Sequence, residues 1–226
     1  MGERSELSRC YDEAYRRPGP LFGLRPDPAV VELVQTRELS GRALDIGAGH
    51  GRHAVFLARN GFTVEAVDIS AEAVRRLKQM ARRGRLPIEA RRADVAQPGV
   101  IQGPYDLVVA DTVLGHFGMD EARRVARTIT EAMRPGAWLF ASVFSREDAR
   151  ESEFAPYVET WFTREQLTGL FGGLRVESCE ELSVTDRSHG EPHEHHVLRL
   201  LAQRPPSPDA ADAKADEGPG RVSNGA

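Results

Sequence analysis

Ala43-Leu44-Asp45-Ile46-Gly47-Ala48-Gly49-His50-Gly51-Arg52 is the stretch that decides how this chain is read. An apolar strand runs into three alternate glycines, and a helical pattern starts directly after them. Glycine turns of this kind admit positive φ angles and let backbone amides approach a ligand that side chains would block. They also aim a helix N-terminus at that ligand. A strand–turn–helix of this type opens a doubly wound α/β sheet, whose ligands bind beyond the C-terminal strand edge. The dinucleotide fingerprint G-x-G-x-x-G would need a third glycine where Arg52 stands. A carboxylate at Asp45 is badly placed beside a pyrophosphate. It suits a nucleoside-like ligand that carries cationic groups.

The rest of the pattern follows in order. Thr63 to Ile69 is a short β-branched strand ending in Asp68, about 20 residues past the glycine turn, where an acid meets ribose hydroxyls. Ala93-Asp94-Val95, Tyr105 to Ala110 and the turn Arg134-Pro135-Gly136-Ala137 before Trp138 to Phe144 come next. With residues 43–52 these pieces resemble the motifs of class I S-adenosylmethionine-dependent methyltransferases. The resemblance spans about residues 40–203. S-adenosylmethionine has a sulfonium and an ammonium and no phosphate. The resemblance implies a Rossmann-like, seven-stranded, mostly parallel sheet with a C-terminal antiparallel hairpin. It also implies S-adenosylmethionine contacts from Asp45, Gly47, Ala48, Gly49, Asp68, Ile69, Asp94, Val95 and Asp111. The short chain, the loop Thr112 to Phe117 and the C-terminal hairpin are loosely similar to tellurite-resistance-type methyltransferases.

Composition reads as that of a soluble, globular chain. The 226 residues are 40% hydrophobic and 28% charged, which fits one domain with a substantial core. Met1 to Leu7 contains no apolar signal-peptide core, and no run approaches membrane-span length, so a cytoplasmic protein is expected. Cys10 and Cys179 match no metal or redox spacing. A net charge of −4 argues against general nucleic-acid binding. Residues 1–26, with Tyr11, Tyr15 and Phe22, read either as an aromatic N-terminal arm or lid or as a poorly ordered terminus. Residues 27–203 read as the methyltransferase domain, and 204–226, rich in Pro, Ala, Gly and Asp, as a disordered tail.

The punctuation predicts the elements. Asp27-Pro28 starts a helix, Ser70 and Thr163 cap two more, and Gly61 stops the helix of about 52–60, with Val55, Phe56, Leu57 and Ala58 facing inward. Strands are expected at 43–46, 88–91, 107–111, 138–144, 174–179 and 195–203, and a helix over 120–133.

Methyl transfer from a sulfonium needs positioning and desolvation before it needs a catalytic side chain. The catalytic set is therefore open, with one candidate. His116 lies just past the fourth core strand, as a base or substrate contact, or as a structural histidine bonded to a backbone carbonyl. Asp186 to His196 is dense in histidine, and His189 and His193 are candidate contacts to the acceptor. His193 and His195 share a face if extended, yet no third ligand is evident, so no metal is assigned. The arginines of 75–92 read as a solvated helix face without the interleaved aromatics that stack on bases. The expected partner is thus a small-molecule acceptor. An RNA substrate, a catalytically silent S-adenosylmethionine-binding protein and a nicotinamide oxidoreductase are the rivals. Oxygen, nitrogen, sulfur and metalloid acceptors all stay open.

Overall fold

The computed structural model describes residues 2–147, 155–186 and 193–207. Seven strands form one sheet: β1 (Gly41–Ile46), β2 (Phe62–Asp68), β3 (Ile88–Arg92), β4 (Tyr105–Asp111), β5 (Met133–Phe144), β6 (Arg175–Asp186) and β7 (His193–Gln203). The helices are α1 (Gly2–Arg16), α2 (Pro28–Thr36), α3 (Arg52–Arg59), α4 (Ala71–Gly84), α5 (Met119–Ala132) and α6 (Arg164–Leu170). The strand order is β3-β2-β1-β4-β5-β7-β6. β3 through β5 pair in parallel, and β7 runs antiparallel to both β5 and β6. The expected mostly parallel sheet with an antiparallel C-terminal pair is what forms.

The sheet is covered on both faces, which is why its strands are apolar on both. Ala43, Leu107, Val109 and Phe140 pack toward Val30, Leu33 and Leu57 of α2 and α3. Leu44, Ile46, Val108 and Leu139 face the other way, toward Ala122, Val125 and Ile129 of α5 and Leu167 of α6. After β3 the chain returns to pair β4 with β1, so the order reverses between β1 and β4. A crevice opens at such a reversal, beyond the carboxyl ends of the strands.

Caps set the helix starts. Asp27 accepts the Ala29 amide at 2.9 Å, with Pro28 in the first turn of α2. Ser70 accepts the Ala73 amide at 3.1 Å at the start of α4. Thr163 and Gln166 form a reciprocal capping box on α6.

Four details differ from the expectations. In α3 it is His53, Ala54, Leu57 and Ala58 that are buried, while Val55 and Phe56 are half-buried, because the inward stripe follows the 3.6-residue period. β6 continues to Asp186 because an edge strand needs no apolar alternation to keep pairing with β7. β5 begins at Met133, opposite Tyr105 of β4. The domain also reaches past Gln203. Arg204 donates its amide to the Ala137 carbonyl at 2.8 Å and accepts the Gly136 amide at 2.9 Å. Its guanidinium bonds the Thr130, Glu131 and Met133 carbonyls at the end of α5. The rest of the expected tail, from 208 on, lies outside the described residues. No helix among the described residues is long and apolar enough to cross a membrane.

Candidate cofactor and acceptor site

A cleft of about 1010 Å³ lies over the carboxyl ends of β1, β2, β4 and β5. Its floor starts with the glycine turn. Gly47, Gly49 and Gly51 all have positive φ, at 67°, 52° and 84°. Each also admits a neighbour. A methyl on Gly47 would meet Val113 at 3.2 Å, one on Gly49 the Tyr15 hydroxyl at 2.6 Å, and one on Gly51 the Leu77 side chain at 2.4 Å. The turn is thus closed on by the protein as well as open to a ligand.

Asp68 locks this turn. Its Oδ2 accepts the Gly49 amide at 2.8 Å and its Oδ1 the Ser70 amide at 2.8 Å. Burial lifts its carboxyl to about 6, against the pull of those two N–H donors. Asp45 is placed differently from the expectation. It is buried behind the turn, accepts the Ala54 amide at 2.9 Å and is not among the residues lining the cleft. It ties β1 to the first turn of α3, and burial raises its carboxyl to about 8. Gly47, Ala48, Gly49, Asp68, Ile69, Asp94, Val95 and Asp111 do line the cleft.

α1 lies across this end. Ser8 donates to the Ile69 carbonyl at 3.1 Å, and Asp12 accepts from the Ser70 hydroxyl at 2.6 Å and the Glu72 amide at 3.0 Å. Tyr15 packs edge-on to His50, with ring centroids 4.7 Å apart, and stacks on Tyr11. Arg4 reaches the His116 carbonyl at 2.9 Å, pairs with Glu121 and sits over the Phe117 ring. The aromatic arm is therefore a helix that bridges the β2 end to the loop after β4.

His116 is held on both ring nitrogens. Nδ1 lies 2.8 Å from the Tyr157 carbonyl and must donate to it, so Nε2 accepts from the Tyr11 hydroxyl at 2.8 Å. Burial holds its imidazole below the usual range, with the Tyr157 contact working the other way. These bonds make it a fastener for α1, as the carbonyl-bonded reading expects, and the residue also lines the cleft. His189 and the side chain of His193 lie outside the described residues. Among the described residues no cluster of His, Cys, Asp or Glu is arranged to hold a metal.

The other end of the cleft carries a polar network that the motif reading did not assemble. Arg52 pairs with Asp111, and its Nη1 approaches the Phe22 carbonyl at 3.4 Å. Ser142 of β5 donates to Asp111, and the Thr112 amide donates to the Ser142 hydroxyl at 3.0 Å. His53 Nε2 lies 3.6 Å from Asp111 and accepts the Asp27 amide at 3.1 Å. Asp27 in turn holds Arg199 of β7 at 2.7 Å. Burial would raise Asp111, but the Arg52 guanidinium and the Ser142 hydroxyl outweigh it and keep it ionised. Burial drives His53 down to about 4, so it is neutral. The signal for this network was present: Ser142 and Arg199 are polar residues inside apolar strands, where such types are rare unless paired.

Half of the basic residues of 75–92 are engaged within the protein, while Lys78, Arg82, Arg83 and Arg85 are exposed. Arg75 and Arg76 both bond Glu72, Arg91 bonds Glu65, and Arg92 reaches the Ile69 carbonyl and Ser8.

Comparison with known proteins agrees with this architecture. Residues 21–175 match the family model described as a methyltransferase domain. Hemagglutinin 1 of Eikenella corrodens is 30% identical over 191 residues, covering 78% of this chain and 59% of that protein. Ribosomal RNA small subunit methyltransferase C of Alcanivorax borkumensis is 30% identical over 174 residues, covering 73% of this chain and 51% of that protein. The chain thus spans little more than half the length of these two relatives. The crystal structure of TehB from Haemophilus influenzae superposes with a TM-score of 0.69 at 15% identity, covering 86% of this chain and 65% of that one.

Proposed function

The chain belongs to the methyltransferase domain family, and from that premise we propose that its cleft binds S-adenosylmethionine and directs the methyl group to a small-molecule acceptor. The observation that carries this reading is Asp68, which joins the glycine turn to α4 and still faces the cleft. Its carboxylate has lone pairs beyond the two amides it accepts, and two adjacent ribose hydroxyls are the donors that fit them. Ile69, Asp94 and Val95 border the same compartment and suit the adenine. The cleft is at the upper end of the range for a ligand site, so it has room for a second molecule beside the cofactor.

Bound S-adenosylmethionine supplies an electrophilic methyl on sulfur. The residues of this chain orient and exclude water. Gly47 and Gly49 bring backbone close to the ligand. α1 closes the compartment from above through Tyr11 and Tyr15. The loop after β4, anchored by Ser142 and His116, forms the boundary where cofactor and acceptor meet. In-line displacement in such a site draws on proximity and desolvation.

A second reading has one specific support, the similarity to a ribosomal RNA methyltransferase. The closed position of α1 and the bonds of Arg75, Arg76 and Arg91 to Glu72 and Glu65 favour the small acceptor.

Calorimetric titration tests the cofactor assignment. S-adenosylmethionine and S-adenosylhomocysteine should bind one site each, and NADH should not. Binding of NADH with no binding of either adenosyl ligand overturns the proposal.

A further inference from the structure

The end of the cleft away from Asp68 has an uneven charge. Three guanidinium groups, Arg25, Arg52 and Arg199, line it with two carboxylates, Asp27 and Asp111. Both carboxylates are already held, Asp111 by Arg52 and Asp27 by Arg199. Arg25 makes no ion pair among the described residues. Arg199 uses one terminal nitrogen on Asp27, while its Nε–H is buried without a hydrogen-bond partner. That Nε–H is closed to a ligand, but the Arg199 side chain keeps 20% of its surface exposed and its second terminal nitrogen is not held by Asp27, so a carboxylate can reach the guanidinium end-on from the cleft. Around these cations the wall is apolar, formed by Phe22, Phe144, Val184 and Val197.

We propose that this end of the cleft binds an organic anion, with its apolar body between Phe22, Phe144 and Val184 and its carboxylate against Arg199 and Arg25. The inference rests on the methyltransferase reading and names the acceptor class for the same site. A neutral acceptor would leave the Arg199 donors unanswered. An inorganic anion would leave the apolar wall facing water. An organic acid satisfies both, and the Asp27–Arg199 and Asp111–Arg52 pairs hold the guanidiniums in place, so little order has to be created on binding.

The test uses the full chain saturated with S-adenosylhomocysteine and two probes of nearly equal shape, 1-naphthoate and 1-naphthalenemethanol. Binding is read by calorimetry. The anion should bind about tenfold or more tighter, as expected for a charge-assisted contact. Arg199→Gln should remove that preference, with S-adenosylhomocysteine affinity within about twofold of the parent, since the guanidinium lies away from Asp68. Arg25→Ala, at an exposed position that the fold does not need, should weaken naphthoate and leave naphthalenemethanol unchanged. Equal binding of the two probes, or a preference unchanged in both variants, overturns the inference while the cofactor assignment stands. Failure of S-adenosylhomocysteine itself to bind overturns both.

Discussion

Replacing Asp68 by alanine should separate the two roles assigned to that carboxylate. In the free protein its oxygens accept the Gly49 and Ser70 amides, each at 2.8 Å, and the residue is buried. Alanine leaves two buried N–H groups without acceptors, at about 1–3 kcal/mol each. Against this, burial already disfavours the ionised carboxyl, lifting it to about 6, so removing the charge returns part of the loss. The net cost should be roughly 2–4 kcal/mol, and for a domain of this size that lowers the melting temperature by roughly 4–16 °C. Asp68→Asn keeps one acceptor oxygen and should lose about half as much. For the cofactor the loss is larger in kind, because ribose hydroxyls donating to a carboxylate are charge-assisted, at about 1.5–3 kcal/mol each. S-adenosylhomocysteine affinity should fall at least about tenfold in Asp68→Asn, measured well below the melting temperature. Thermal melts and calorimetry on the same samples decide the matter. A variant with a lowered melting temperature and unchanged S-adenosylhomocysteine affinity would refute the ribose assignment and leave Asp68 only its structural role.

Further outcomes follow from the same geometry. Since ribose hydroxyls bind the ionised form of Asp68, and that group titrates at about 6 in the free protein, affinity should be level above pH 7 and drop about tenfold per unit below 6. A flat profile between pH 5 and 8 in the parent protein contradicts it. Gly51→Ala places a β-carbon at φ 84°, 2.4 Å from Leu77, and should destabilise by about 2–5 kcal/mol from left-handed strain and overpacking together, read from the urea midpoint. Asp111→Ala leaves the half-buried Arg52 without its carboxylate and should cost about 3–5 kcal/mol, with Arg52→Met in the same background recovering part of it.

What was legible in the sequence was whatever local chemistry encodes. The β1 strand, the three positive-φ glycines and the caps at Asp27, Ser70 and Thr163 each depend on a few adjacent residues. The antiparallel β6–β7 pair could be read from two strand patterns flanking a turn. The placement of Asp45 could not. A strand-end acid next to a glycine turn looks the same whether it faces the ligand or the following helix, and only the Ala54 amide shows which. His116 had two readings for the same reason, and its partners, Tyr11 and Tyr157, lie 105 and 41 residues away. The Arg52–Asp111–Ser142 and His53–Asp27–Arg199 contacts draw on the cap of α2 and on residues from α3, β4, β5 and β7, so they exist only once the sheet is assembled. The ordered N-terminal helix was also hidden, because α1 is polar for most of its length and is held by side-chain bonds to Ile69, Ser70 and Glu121. Such bonds have no periodic signature.

The central claim is methyl transfer from this cleft. S-adenosylmethionine carrying a trideuterated methyl group, incubated with the protein, a pooled small-molecule extract and total RNA, tests it most directly. Mass spectrometry should show a product heavier than its precursor by one trideuterated methyl in place of hydrogen, formed together with S-adenosylhomocysteine and abolished in Asp68→Ala. Cofactor bound in the cleft with no labelled small molecule, and label recovered instead in RNA, would contradict the account.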